Sequence, residues 1–200
     1  MNIGSFTRGR FRPRATATGD CDRRLVPRPM LRKIVKYGDP ILEKVCHPVT
    51  EFNTPELEQL IDDMFETMYD AKGVGLAAPQ IGLLKRLTVI DPTGGEEEGH
   101  QLVFINPEIV STEGEQVGEE GCLSIPGFRE NVKRAFTVKV RAQDEKGEWF
   151  DLTSEELLSR VILHENDHLS GVLFFKHVSR LKREIILRKI RKLKRNGEWD

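Results

Sequence analysis

The chain has 200 residues, 38% of them apolar and 32% charged, a balance that suits one globular domain with a heavily charged surface and no need of a disulfide scaffold. No run approaches the ~20 uncharged apolar residues of a membrane span, and the three cysteines, Cys21, Cys46 and Cys122, are too sparse for a secreted disulfide framework. The formal net charge of −1 conceals an acidic body between two basic ends, since residues 1–29 carry +5, residues 30–175 carry −13 and residues 176–200 carry +7, which excludes a uniformly basic nucleic-acid-binding domain.

Residues 1–29 are Arg-rich and lack the apolar core of a secretory signal. Their composition suits a disordered extension, a start codon placed too early or, alternatively, an organellar targeting segment. Residues 31–37 read as a short strand or apolar arm, and Gly38-Asp39-Pro40 as a turn. The spacing predicts a helix over 55–71: Thr54 suits the N-cap, Pro55 the first helical position, and Leu57, Leu60, Ile61, Met64, Phe65 and Met68 form one stripe that Gly73 and Gly75 end. Apolar runs at 87–90 and 102–105 read as strands, and 136–142 alternates as a half-buried strand does. Asp144 to Gly147 then supplies a hairpin turn, and 149–152 returns. A second helix is expected from about residue 154, with Thr153 and Glu156 as a capping box and Gly171 as its stop. A third is expected over 180–195, with Leu181, Ile185, Ile186, Ile190 and Leu193 on one side. This order argues for an α+β fold, with mixed or antiparallel sheets packed around a central metal-binding helix and a C-terminal helix beyond it.

The metal expectation comes from His164-Glu165-Asn166-Asp167-His168. His164 and His168 are four residues apart, so both imidazoles leave the same helix face and can hold one ion. Glu165, one step around the helix, is placed to take the proton of a water activated by that ion. Leu157, Leu158, Val161, Ile162, Leu163 and Leu169 surround the motif, which argues against a merely solvated face. A catalytic site needs a third ligand. The position six residues after His168 is Phe174, which is not a ligand, and Glu184 lies in the basic helix. Cys122, in Glu120-Gly121-Cys122-Leu123-Ser124, completes the set, although a free Cys taken alone is more often a small buried hydrophobe. The run Gly73-Val74-Gly75-Leu76-Ala77-Ala78-Pro79-Gln80 offers backbone to an extended peptide, and the Gln80 amide offers a donor to an oxyanion. As a dinucleotide fingerprint it is weak, lacking the third glycine and a preceding strand.

Together these three segments resemble the signature motifs of peptide deformylase, in the family's order, within a resemblance running from about Met30 to about Leu193. It implies a deformylase-like catalytic domain over 30–178, with 1–29 as a basic extension and 179–200 as a basic C-terminal helix and tail. The implied activity is hydrolysis of the N-formyl group from the initiator methionine of new polypeptides, releasing formate. Cys122, His164 and His168 would bind one divalent metal ion, Fe²⁺ first, with Zn²⁺, Ni²⁺ or Co²⁺ as substitutes. Glu165 would be the general acid and base, while Gln80 and the Leu123 N–H would hold the oxyanion. Val74, Gly75 and Gly121 would contact substrate backbone, and Val161 would help line the methionine pocket. Arg134 would pair with Asp167 to orient the metal helix. The implied partners are N-formylmethionyl nascent peptides, and the ribosome through the C-terminal helix, with no membrane. The implied compartment is the bacterial cytoplasm. One departure is Leu163, where the family commonly has Gln. The competing readings are a peptidase with the same chemistry but another third ligand, and a catalytically idle metal- or ribosome-binding module.

Overall fold

A computed structural model describes residues 28–199, so the extension expected over 1–29 lies almost wholly outside the described residues. The first helix, α1 (Pro55–Asp70), forms for the reasons its sequence carries. Thr54 is extended and its hydroxyl accepts the Leu57 N–H at 3.2 Å, and Pro55 opens the helix. All six residues of the apolar stripe are buried. Its end differs from expectation. Lys72, not a glycine, takes the left-handed conformation at φ +57°, and the Gly73 N–H reaches back to the Met68 carbonyl at 2.8 Å.

Beyond α1 the chain forms β1 (Gly75–Ala77), β2 (Leu87–Ile90) and β3 (Leu102–Glu113), then β4 (Gln116–Gly121), β5 (Arg129–Arg134), β6 (Thr137–Gln143) and β7 (Trp149–Glu155). Among the described residues these make two sheets, one in the order β1-β2-β3-β6-β7 and one of β4 and β5 alone, with every strand pairing antiparallel. Strand β1, two thirds of β3 and the whole β4–β5 hairpin carry no expectation from the sequence. The hairpin is polar and half of its strand residues are exposed, so it lacks the apolar alternation that marks a half-buried strand. Residues 31–37 are not a strand. They form an arm whose Val35 N–H donates to the Gln80 carbonyl at 2.7 Å and whose Tyr37 N–H donates to the Ser124 carbonyl at 2.8 Å. Asp39 then caps a short 3-10 turn, Pro40–Glu43, by accepting the Ile41 N–H.

The helix expected to bear the metal ligands, α2 (Glu156–Leu169), starts later than expected. Thr153 lies inside β7, whose ladder with β6 continues to Glu155, so no capping box forms. Gly171 does end the helix, at φ +69° and directly against the Glu43 backbone, where a Cβ would overlap it. Val161 and Ile162 pack with Phe104, Val138, Val140 and Leu152, while Leu157 is 53% exposed and takes no part in that core. The last helix, α3 (Arg180–Arg195), is capped by Ser179. Ile186 and Ile190 bury against Leu42, Ile125, Phe174 and Phe175, but the stripe is narrower than expected, since Leu181 is 73% exposed.

Candidate metal and active site

Three segments distant in sequence meet at the inner face of α2. Cys122 leaves β4 in a tight turn closed by the Ile125 N–H on the Cys122 carbonyl at 2.9 Å. His164 and His168 are one helical turn apart, with ring centroids 5.1 Å apart. Ligand atoms of these three buried residues all lie within 4.8 Å of one another, and Cys122 Sγ is 3.3 Å from His168 Nε2. One thiolate and two imidazoles around one point are a donor set for a divalent transition ion, and they leave a coordination position open.

The electrostatics agree with that fit. Burial, then the charges of His164 and Arg134, push the His168 pKa well down, which keeps its ring neutral as a ligand must be. Burial would do the same to His164, but hydrogen bonds with Cys122 and Glu120 and the charge of Glu165 overturn it and raise its pKa well up. The surroundings of that ring therefore favour positive charge, and a metal ion bound at Nε2 has to displace a proton to supply it.

Glu120, two residues before Cys122, carries no sequence signal for the part it plays here. Its carboxylate accepts from Arg134 Nε at 2.9 Å, from Arg134 Nη2 at 3.0 Å and from Arg160 Nη1 at 2.8 Å, and lies 3.0 Å from His164 Nδ1. Burial raises its pKa, but the hydrogen bonds from His164 and Arg134 outweigh this and bring it down to about 2. An ionised Glu120 on Nδ1 makes that nitrogen the donor and leaves Nε2 as the ligand atom. Arg134 also donates to Asp167 Oδ2 at 2.6 Å, and His177, likewise unforeseen, lies 2.7 Å from the same oxygen. No local signal marks Arg160 or His177, because their partners lie far away in sequence.

Glu165 is buried, and its Oε2 has no hydrogen-bond partner among the described residues. Burial is the main cause that raises its pKa to about 7; His164 opposes this and Glu120 and Asp167 reinforce it. A carboxyl that gains and loses a proton near neutrality suits a general acid and base. Its neighbour explains a glycine: a Cβ on Gly75 would collide with the Glu165 carboxylate, so β1 passes this close only because residue 75 has no side chain.

Gln80 is fully buried, in the short 3-10 turn Ala78–Ile81. Its Oε1 accepts the Ala77 N–H at 2.8 Å, which turns its Nε2 toward Cys122 Sγ at 3.5 Å and Ser124 Oγ at 3.4 Å. Leu123 follows Cys122 in the turn. Val74, Gly75, Gly121, Val161 and Phe128 are among the walls of a cleft of about 630 Å³ that reaches Cys122, His164 and Glu165. The Val74 carbonyl is already engaged by the Asp91 N–H at 2.9 Å. Strand β1 is the edge of its sheet and Gly121 ends β4, so backbone faces the cleft from two sides.

A family model described as polypeptide deformylase matches residues 31–184. The chain is 60% identical over 170 residues to the peptide deformylase of Acidobacterium capsulatum, an alignment covering 85% of this chain and 99% of that one. It is 58% identical over 144 residues to the peptide deformylase of Clostridium botulinum, covering 72% and 94% of the two chains. Among solved structures it resembles a peptide deformylase from Legionella pneumophila, with a TM-score of 0.78 at 49% identity, covering 86% of this chain and 99% of that one. It also resembles that from Thermus thermophilus, with a TM-score of 0.76 at 45% identity and coverage of 82% and 95%.

Proposed function

The chain belongs to the peptide deformylase family, and from that premise we propose how its own residues divide the work of removing the N-formyl group from the N-terminal methionine of newly synthesised polypeptides. The observation that carries the reading is the meeting of Cys122, His164 and His168 beside a buried Glu165 with an unpartnered oxygen.

Cys122, His164 and His168 hold one divalent metal ion, which when bound supplies Lewis acidity toward water and toward the formyl oxygen. Fe²⁺ is the ion proposed, with Zn²⁺, Ni²⁺ or Co²⁺ as substitutes that the same donors accept. Glu165 removes a proton from the attacking water as its oxygen bonds to the formyl carbon. Gln80 Nε2 and the Leu123 N–H donate to the oxygen that becomes negative in the transition state. Glu165 then delivers its proton to the amine nitrogen as the C–N bond breaks, and formate and a free methionine amine leave. The substrate backbone lies between Val74 and Gly75, where the β1 edge begins, and the end of β4 at Gly121, in the manner of an added strand. Val161 contributes apolar wall for the methionine side chain. Arg134 and Asp167, joined at 2.6 Å, tie α2 to β5 and hold the metal helix in register.

The test is formate release by the purified, metal-loaded chain from a formyl-methionyl peptide. Release of formate with no cleavage of the unblocked peptide is the expected result. Cleavage within an unblocked peptide would favour a peptidase instead, and loaded protein inert toward both would favour the idle module.

Residues 30–178 are proposed as the catalytic domain, with 1–29 as a basic extension and 179–200 as a helix and tail. Among the described residues no helix is long and apolar enough to cross a membrane, and the bacterial cytoplasm is the proposed compartment. The outer face of α3, rich in Lys and Arg, is proposed to dock on ribosomal RNA. Its binding to ribosomes should weaken steeply with added salt and vanish on deletion of residues 182–200; salt-independent binding would exclude the assignment.

A further inference from the structure

One buried aromatic residue has no part in the scheme above. Trp199 lies beyond α3, where the chain folds back after Gly197 (φ +71°), and is only 6% exposed. It makes two specific contacts. Its indole N–H donates to the Tyr37 carbonyl at 2.8 Å, and its ring meets Phe128 edge-on, with centroids 6.0 Å apart at 66°. Both partners lead to the cleft. Phe128 forms part of the cleft wall, in the loop between Cys122 and β5. Tyr37, on its other side, donates its N–H to Ser124, two residues after Cys122, and Val35 in the same arm donates to Gln80. Trp199 therefore joins the arm of Tyr37 to the end of the 122–128 loop. Its N–H holds the arm to which Ser124 is bonded, and its ring supports Phe128.

We propose that Trp199 is a positioning residue for substrate: it sets the shape of the Phe128 side of the cleft and so the affinity for the formyl peptide, without touching the reacting atoms. A polar N–H buried with a backbone partner and an aromatic edge contact each fix an orientation, not only an area. The loop it braces is short of regular structure, so the wall depends on such outside support. The proposal rests on the reading of the cleft as the substrate site.

The full, metal-loaded chain with Trp199→Ala should show a rise in KM of roughly 5- to 50-fold for a formyl-methionyl peptide, with kcat within about twofold and metal content unchanged. Trp199→Phe keeps a ring against Phe128 and loses the N–H, so its KM should fall between the two. Phe128→Ala should raise KM on its own, and the Trp199→Ala effect should shrink in that background to the part carried by the Tyr37 hydrogen bond, because the ring contact is shared. A wild-type KM in Trp199→Ala, or effects of the two substitutions that simply multiply, overturns the proposal. A kcat that falls together with metal content and thermal stability also overturns it, since that is what a purely structural residue does. Phe128→Ala with an unchanged KM would reject the cleft assignment itself and the proposal with it. Should Trp199→Ala fail to fold, Trp199→Phe and the cycle with Phe128→Leu carry the same comparison.

Discussion

Glu165→Gln is expected to retain its metal and lose turnover by about 10²–10⁴-fold, the range that a positioned general acid and base contributes. The change is nearly isosteric, and the space around the side chain permits little else. Gly75 passes so close that a Cβ there would meet the carboxylate, so a side chain of the same size and shape at 165 disturbs β1 least. Glutamine fills that place but can neither take a proton from water nor return one to the amine. Glu165 is not one of the three convergent ligands, so metal content should not change. The fold should not suffer either. Burial already disfavours the ionised form, which is why the pKa rises to about 7, and a neutral amide removes that cost. Formate release and metal analysis on the same sample therefore separate the chemical role from a structural one. Near-wild-type turnover would remove Glu165 from the mechanism.

Cys122→Ala is expected to weaken metal binding by more than about 100-fold, because even the loss of a group that only orients a ligand costs about 10–100-fold. The protein should remain folded, since the change is small and the turn around Cys122 is held by backbone hydrogen bonds at Ile125 and Ser124. It should lose the thermal stabilisation that added metal gives the wild-type chain, because that gain is binding energy specific to the folded state. Cys46→Ala is the control. Cys46 is also buried, but it packs among Ala77, Leu169 and Leu84, and burial pushes its thiol up to about 11. Its loss should leave metal content unchanged. Dialysis followed by metal analysis decides, and equal metal in Cys122→Ala and wild type would take Cys122 out of the site.

These two substitutions also mark how far the chemistry could be read before the fold was known. His164, Glu165 and His168 lie within five consecutive residues, and helical geometry alone places the two imidazoles on one face. The α1 stripe and its Thr54 cap were legible for the same reason, because helix periodicity and capping are local. Cys122 needed elimination among candidate ligands and the resemblance of its neighbours to a known motif.

Glu120 stood in plain view two residues from Cys122, yet its role was invisible. Its partners Arg134, Arg160 and His164 lie 14, 40 and 44 residues away, and only the packing of the β4–β5 hairpin against α2 brings them together. The same holds for β1, whose three residues look like loop until β2 pairs with them, and for the capping box at Thr153, which the β6–β7 ladder overrode. The arm at Val35 and Tyr37, and Trp199 beyond α3, are bonded across 45 to 162 residues.

The sequence by itself determined the helix-borne histidine pair, its adjacent carboxylate, the main helices and the α+β class, because each is written in local spacing. Tertiary structure alone decided which buried charges hold His164, which strand edge faces the cleft, and what supports the loop of Cys122. Those depend on groups from distant segments meeting where water is excluded, and no local periodicity records such a meeting.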